Sequence, residues 1–120
     1  EVFIIESIES KVNIPLKLIF SRFSGGKNVN ANCIFVDKDK IKFPLTIRKW
    51  QEGDYFYPAG MNGKKKLSKY FKDEKYSLLD KENQWLLCSE DQIIWVIGKR
   101  ADHRFIATER TQQIIKIDIT

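Results

Sequence analysis

The sequence predicts a small, mainly β domain of the α+β class, a β-sandwich or partly closed barrel with one amphipathic helix packed on it. Three observations lead there. Apolar runs of strand length recur along the chain between turn signals. One stretch alone, 65–72, has helical periodicity, with Leu67, Tyr70 and Phe71 at i, i+3 and i+4. And 120 residues with 42% hydrophobic content can build one real core but not comfortably two. Because every apolar face needs a covering layer, the helix is expected to lie against a sheet. A single domain over 1–120 follows, with residues 1–44 as a strand-rich lead-in to 45–120.

Taken in order, Val2 to Ile8 and Val12 to Phe20 are rich in Ile, Val, Leu and Phe and are separated by Glu9-Ser10-Lys11, which reads as two strands of a hairpin or meander. Pro15 lacks an amide hydrogen, so the second of these belongs at an edge or is bulged there. Ala31 to Val36 is the next strand, and the charged turn Asp37-Lys38-Asp39-Lys40 leads into Ile41 to Arg48 as its hairpin partner. A loop over 49–63 precedes the helix, and a short polar helix or turn is expected near Asp80 to Gln84. Trp85 to Cys88 and Ile93 to Ile97, joined by Ser89-Glu90-Asp91-Gln92, form the clearest hairpin; their unbroken apolar character calls for strands covered on both faces. Within it, Trp95 is expected to be buried. A last strand alternates through Ile115, Ile117 and Ile119.

Function is expected in the stretch Leu45 to Ser68, which passes from strand end to turn, to an aromatic run, to a glycine loop and to lysines. Gly53 and Asp54 make one turn, and Gly60 and Gly63 bracket Met61-Asn62 before Lys64, Lys65 and Lys66. A glycine loop opening onto the lysine-rich first turn of a helix outlines an anion site, since backbone N–H groups, the helix dipole and mobile ammonium groups point to the same negative charge. The net charge is +5. Its excess is concentrated where Lys64, Lys65, Lys66, Lys69, Lys72 and Lys75 face only Asp73 and Glu74. The competing reading is a solvated face that keeps the domain soluble. Tyr55 and Tyr57 offer rings to an unpaired base or, more ordinarily, pack on the core. Arg48 and Lys49 flank the loop; Arg100 and Arg104 either contact phosphate or bond Asp54 or Asp102.

Other chemistry finds little support. His103 is the only histidine, which leaves no histidine pair for metal or acid–base work, and beside Asp102 and Arg104 it reads as part of a loop charge cluster. Cys33 and Cys88 each sit in an apolar run, as reduced thiols of a cytosolic protein do, and make no zinc site. No metal and no cofactor is therefore expected in this chain. No secretory signal or membrane-spanning run is present, and the start without Met suggests a piece of something longer. The run Ser24-Gly25-Gly26-Lys27-Asn28 resembles the ATP-pyrophosphatase loop S-G-G-x-D-S, yet Asn28 and Val29 replace its Asp and Ser, so it reads as a surface turn. A KH clamp lacks its second flanking helix, and Gly60 to Lys65 does not give a Walker A loop.

The ordered series Phe43-Pro44-Leu45, Arg48-Lys49-Trp50, Gly53-Asp54, Phe56, Pro58, Gly60-Met61, Gly63, Lys65-Lys66-Leu67-Ser68, Trp95-Val96, Gly98, Arg100, Asp102, Arg104-Phe105 and Thr111 resembles the C-terminal domain of bacterial tRNA(Ile)-lysidine synthetases. The likeness runs from about Ala31 to Ile117, with 45–120 as its best-matching core. It implies a fold similar to a β-sandwich domain of the phenylalanyl-tRNA synthetase β subunit. It also implies a tRNA-binding role: gripping tRNA(Ile), at the acceptor stem, while a separate N-terminal catalytic domain ligates lysine to the wobble cytidine with ATP and Mg. The partners implied are tRNA(Ile) and that catalytic domain, in the cytoplasm. Lys64, Lys65, Lys66, Lys69, Lys72, Arg48, Lys49, Arg100 and Arg104 are the expected RNA contacts, with Gly53, Asp54, Gly60 and Gly63 shaping the loop. The other class of function is an intramolecular docking domain without RNA contact, whose mark would be an apolar patch within residues 1–30. An independent enzyme is the weakest reading, because no nucleophile–base pair, metal cluster or phosphate cradle can be assembled.

Overall fold

A computed structural model describes residues 1–25 and 32–120. In chain order its strands are β1 (Val2–Ile5), β2 (Leu18–Phe23), β3 (Cys33–Asp37), β4 (Leu45–Arg48), β5 (Tyr55–Phe56), β6 (Lys65–Lys66), β7 (Leu86–Ser89), β8 (Gln92–Val96) and β9 (Ile114–Ile119), with helices α1 (Leu67–Asp73) and α2 (Leu78–Asn83) between β6 and β7. Three antiparallel sheets result: β1-β4-β7-β8, β2-β9-β3, and the small ladder β5-β6. None closes into a barrel, so of the two architectures expected the sandwich is the one adopted.

The four-stranded sheet is the middle layer. On one side Ile5, Leu45, Ile47 and Leu87 meet Leu18, Val36, Ile115 and Ile117 of the three-stranded sheet in a common core. On the other side Leu86, Cys88, Ile93 and Val96 pack with Phe56 and with Leu67, Tyr70 and Phe71 of α1. That double coverage is why β7 and β8 carry no polar alternation, and it buries the Cys88 thiol, pushing its pKa up to about 11. A bulge adds a further detail. Leu87 pairs with Trp95 while Cys88 pairs with Ile93, so Ile94 is an extra residue, and Ile94 and Trp95 both face the inter-sheet core. Trp95 is fully buried, with its indole N–H donated to the Lys99 carbonyl at 3.2 Å.

Both hairpins expected in the first half are absent. β1 pairs with β4 and β2 with β9; β3 pairs with β9, and β4 lies between β1 and β7. Each pair of sequence neighbours is thus split between the two sheets, because a sandwich needs an inward face from each. The switch after β3 is made by a 3₁₀ turn, Lys38–Lys40, capped by the Asp37 carboxylate accepting from the Asp39 N–H at 2.9 Å. Pairing by β4 starts only at Leu45, after Pro44. Likewise, the strand expected over Val12 to Phe20 begins at Leu18: Pro15 falls in the turn that the Val12–Leu18 bridge closes. Ala31, the expected start of β3, lies outside the described residues, as do Gly26, Lys27, Asn28 and Val29 of the glycine-rich run. No helix is long and apolar enough to cross a membrane among the described residues.

Candidate nucleic-acid interface

The 49–63 loop is held at its base by an ion pair. Arg48, at the end of β4, donates from both terminal nitrogens to Asp54 (2.9 and 3.0 Å) and from one of them to the Lys49 carbonyl (3.0 Å). Asp54 also accepts from the Gln51 N–H at 2.7 Å, and its own carbonyl accepts from the Leu67 N–H at 2.9 Å, which ties the loop to the start of α1. The Arg48 side chain is 9% exposed, and its pKa is raised because the Asp54 hydrogen bonds favour the charged form. Trp50, between them in sequence, stands edge-on to Phe71 of α1. Lys49 lies over the Trp85 ring at 4.0 Å and donates to the Glu82 carbonyl.

A second fastening comes from residues 100–104. Asp102 is fully buried; its carboxylate accepts from the Tyr57 N–H (3.0 Å), from the Arg104 N–H (2.8 Å) and from the Arg104 guanidinium (2.9 to 3.2 Å). The loop ion pair expected around His103 is therefore Asp102 with Arg104, while His103 donates its backbone N–H to the Tyr57 carbonyl. Arg100 donates to the Ala59 carbonyl at 2.9 Å. Arg104 thus bonds Asp102, one of the carboxylates open to it, whereas Arg100 bonds a backbone carbonyl rather than Asp54 or Asp102; the Arg104 guanidinium also covers the Tyr57 ring at 4.3 Å.

Between these fastenings the short β5-β6 ladder sorts the lysines. Phe56 pairs with Lys65 and Tyr55 with Lys66, and strand alternation sends the two pairs to opposite faces. Phe56 is buried in the core under α1. Lys65, on its side, is 16% exposed and reaches Asp73 at 2.7 Å, an interaction that holds the Asp73 carboxyl below its usual range. Tyr55, Lys64 and Lys66 are exposed. The helix begins at Leu67 rather than Lys65, so the lysine triplet belongs to the ladder and its approach. The expected lysine-rich first turn is therefore not formed, since the first turn of α1 holds Lys69 alone of these lysines. What the loop does form is a cavity of about 360 Å³ lined by Pro58, Met61, Asn62, Gly63 and by Lys64, Lys65, Lys66 and Lys69. Gly63 (φ 77°) in its lining and Gly60 (φ 79°) before Met61 hold left-handed conformations that a residue with a Cβ adopts only with strain. Lys72 is exposed on α1 but lies outside the cavity lining.

Residues 45–119 match the family described as the TilS substrate C-terminal domain. The chain belongs to that family. Among its relatives, the tRNA(Ile)-lysidine synthase of Parabacteroides distasonis is 51% identical over 89 residues, covering 74% of this chain and 20% of that protein. The enzyme of the same name from Bacteroides thetaiotaomicron is 49% identical, covering 66% and 18%. The chain thus spans about one fifth of the length of these relatives. A structure titled "Crystal structure of TILS C-terminal domain" superposes with a TM-score of 0.78 at 22% identity, covering 100% of this chain and 97% of that one, which establishes a shared fold. Within this family's frame, the R-x-W-x-x-G-D run and the Asp102–Arg104 pair are the pins of the loop that shapes the cavity.

Three features of the site escape the residue-by-residue reading. Asp102 anchors Tyr57 across 45 positions of chain. Lys64 stands over the Tyr55 ring at 4.1 Å. The inward turn of Lys65 has a usable signal, since Tyr-Phe-Tyr opposite Lys-Lys-Lys alternates in and out once the ladder is known. A larger cavity, about 550 Å³, opens elsewhere along β2, lined by residues including Glu9, Lys11, Val12, Lys17, Ile19 and Arg22. Its charged residues are Lys11, Lys17, Arg22 and Glu9, with Arg22 and Glu9 paired at 3.5 Å.

Proposed function

We propose that this domain binds tRNA by its sugar–phosphate backbone, with the lysine-lined cavity beside the 49–63 loop as the grip. It would hold tRNA(Ile) at the acceptor stem, so that the catalytic part of the enzyme, which lies outside this chain and uses ATP and Mg²⁺, ligates lysine to the wobble cytidine in the cytoplasm. The supporting observation is the convergence of Lys64, Lys65, Lys66 and Lys69 on one cavity, where Asp73 is paired with Lys65 and Lys69. Phosphate contact is the mode that A-form RNA allows, because its base edges are hidden in a deep, narrow major groove. Lys66, Lys69 and Lys64 are the contacts this reading favours, with Lys72 adding charge from outside the cavity; Arg100 is exposed beside Gly60 and adds a further positive charge. Arg48, Lys49 and Arg104 act through the shape of the loop.

Titration of a tRNA at several salt concentrations tests the grip, because each neutralised phosphate releases condensed counterions. Lys66→Ala together with Lys69→Ala should weaken binding about equally for unrelated RNA sequences and flatten the log–log salt slope by roughly one unit per lysine. Identical slopes would overturn the assignment. A second reading, docking of this domain on the rest of the enzyme, is favoured by the exposed apolar side chains Val2 and Ile4 of edge strand β1 and by Ile14 and Ile19. It predicts an unchanged slope together with loss of catalytic output when Ile4 is replaced by a charged residue in the full-length enzyme.

A further inference from the structure

We propose that Tyr55, backed by Tyr57, is a stacking platform for an unpaired nucleotide, so that the domain engages an RNA where a duplex gives way to a single strand. The base would lie on the Tyr55 ring and its phosphate would enter the adjoining lysine-lined cavity. This inference rests on the RNA-binding reading above.

The backbone makes the platform. In the run Tyr55-Phe56-Tyr57, alternation turns Phe56 into the core and puts the two tyrosines side by side on the outer face, ring centroids 6.2 Å apart and nearly perpendicular. Tyr57 is immobilised: its N–H is donated to buried Asp102, its carbonyl accepts from His103, its ring meets the His103 ring edge-on at 5.9 Å, and the Arg104 guanidinium covers it at 4.3 Å. Tyr55 is the outermost ring, 41% exposed. It is covered by a single mobile ammonium, that of Lys64, which makes no carboxylate ion pair among the described residues.

Two facts join this ring to the phosphate site. Tyr55 is the cross-strand partner of Lys66, so their side chains share the outer face. Lys64 both covers the ring and lines the cavity. A cation over an exposed ring is held more weakly than a nucleobase stacked on it. An arriving base would therefore displace the Lys64 ammonium, which needs only a change of side-chain rotamer to meet the phosphate of the same nucleotide. A base paired inside a helix has both faces stacked and cannot lie on the ring, whereas an unpaired base offers a free face. Stacking is tolerant of sequence because every base has a π-face; the platform would select a strand junction rather than a base identity.

The full 120-residue chain is titrated with an RNA hairpin of blunt stem and with the same hairpin carrying a short unpaired 3′ extension, or a 5′ extension, with a fluorescent adenine analogue in the extension. Wild type should bind one extended RNA about tenfold more tightly than the blunt one and quench the analogue. Tyr55→Ala should bind both with the blunt affinity, without quenching, and keep the wild-type salt slope on the blunt RNA; Tyr55→Phe should behave as wild type. Circular dichroism melts confirm that the variants are folded. Equal affinity of wild type for blunt and extended RNAs, or an extension advantage that survives Tyr55→Ala, overturns the platform and leaves the phosphate grip standing. Absence of any salt-sensitive binding by wild type removes the grip and the platform together.

Discussion

At the base of the 49–63 loop the guanidinium of Arg48 is closed off by Asp54, whereas at its far end Lys64 and Lys66 are exposed and make no carboxylate ion pair among the described residues. The same contrast recurs a few residues later, where Arg104 is locked on buried Asp102. The difference follows the chemistry of the two side chains. A planar guanidinium forms two parallel bonds to a carboxylate and so fixes a backbone at defined geometry. An ammonium on a flexible stem is a strongly hydrated point charge that can follow a phosphate. A count of basic residues merges these two groups. Their partners separate them, and the separation says which cations shape the site and which are free to meet a ligand.

The comparison breaks most visibly at Asp54. Asp54→Ala leaves a largely buried Arg48 charge and the Gln51 N–H without their partner, and should cost about 2–4 kcal/mol, a large part of what a domain of this size has. A urea melt measures it. At a temperature where Arg48→Met is still folded, its RNA salt slope should match that of wild type; a slope flattened by a full unit would mean that Arg48 itself holds a phosphate and that the contrast is wrong.

Lys65 belongs to the lysine group in sequence and to the fixed group in structure. Its hydrogen bond holds the Asp73 carboxyl below the ordinary range. A depressed carboxylate stabilises the fold above its unfolded pKa of about 3.9 and loses that contribution as pH falls through the lower native value. Lys65→Met should therefore lie below wild type in stability at neutral pH and converge with it in acid. The gap should be smaller than the Asp54 effect, since Asp73 is at the surface and salt screens it. Thermal melts of both proteins from pH 7 to pH 2 measure it; a gap that persists unchanged at the acid end would show that Lys65 acts by packing alone.

The sequence made some of this visible and hid the rest for definite reasons. Leu67, Tyr70 and Phe71 mark the buried face of α1 because helical neighbours are close in sequence. The β7–β8 hairpin and the alternation of β9 are local in the same sense. The pairing of β1 with β4 and of β2 with β9 is not, and neighbouring apolar runs were matched as hairpins because nothing in a run states which sheet it joins. The lysine spacing reads as a helix from Lys65; a two-residue ladder, too short to show a period, turns Lys65 in and leaves Lys66 out. The two tyrosines were expected on the core, where only Phe56 between them lies.

The smallest effect is expected at Lys72, and it sharpens the boundary of the site. Lys72 lies on the exposed face of α1, away from the cavity lining, with no ion pair to a carboxylate among the described residues. Lys72→Ala removes little packing, and alanine is the better helix former, so stability should change by less than about 0.5 kcal/mol. If phosphate contact is confined to the cavity, the salt slope should fall by much less than the unit expected for Lys66. The ammonium would still contribute through the long-range field, and that contribution should fade as the Debye length shortens from about 10 Å at 0.1 M salt to about 3 Å at 1 M. Binding of wild type and Lys72→Ala should therefore differ slightly at low salt and become indistinguishable at high salt. A full unit of lost slope would extend the grip along α1 and make the helix face, rather than the cavity, its centre.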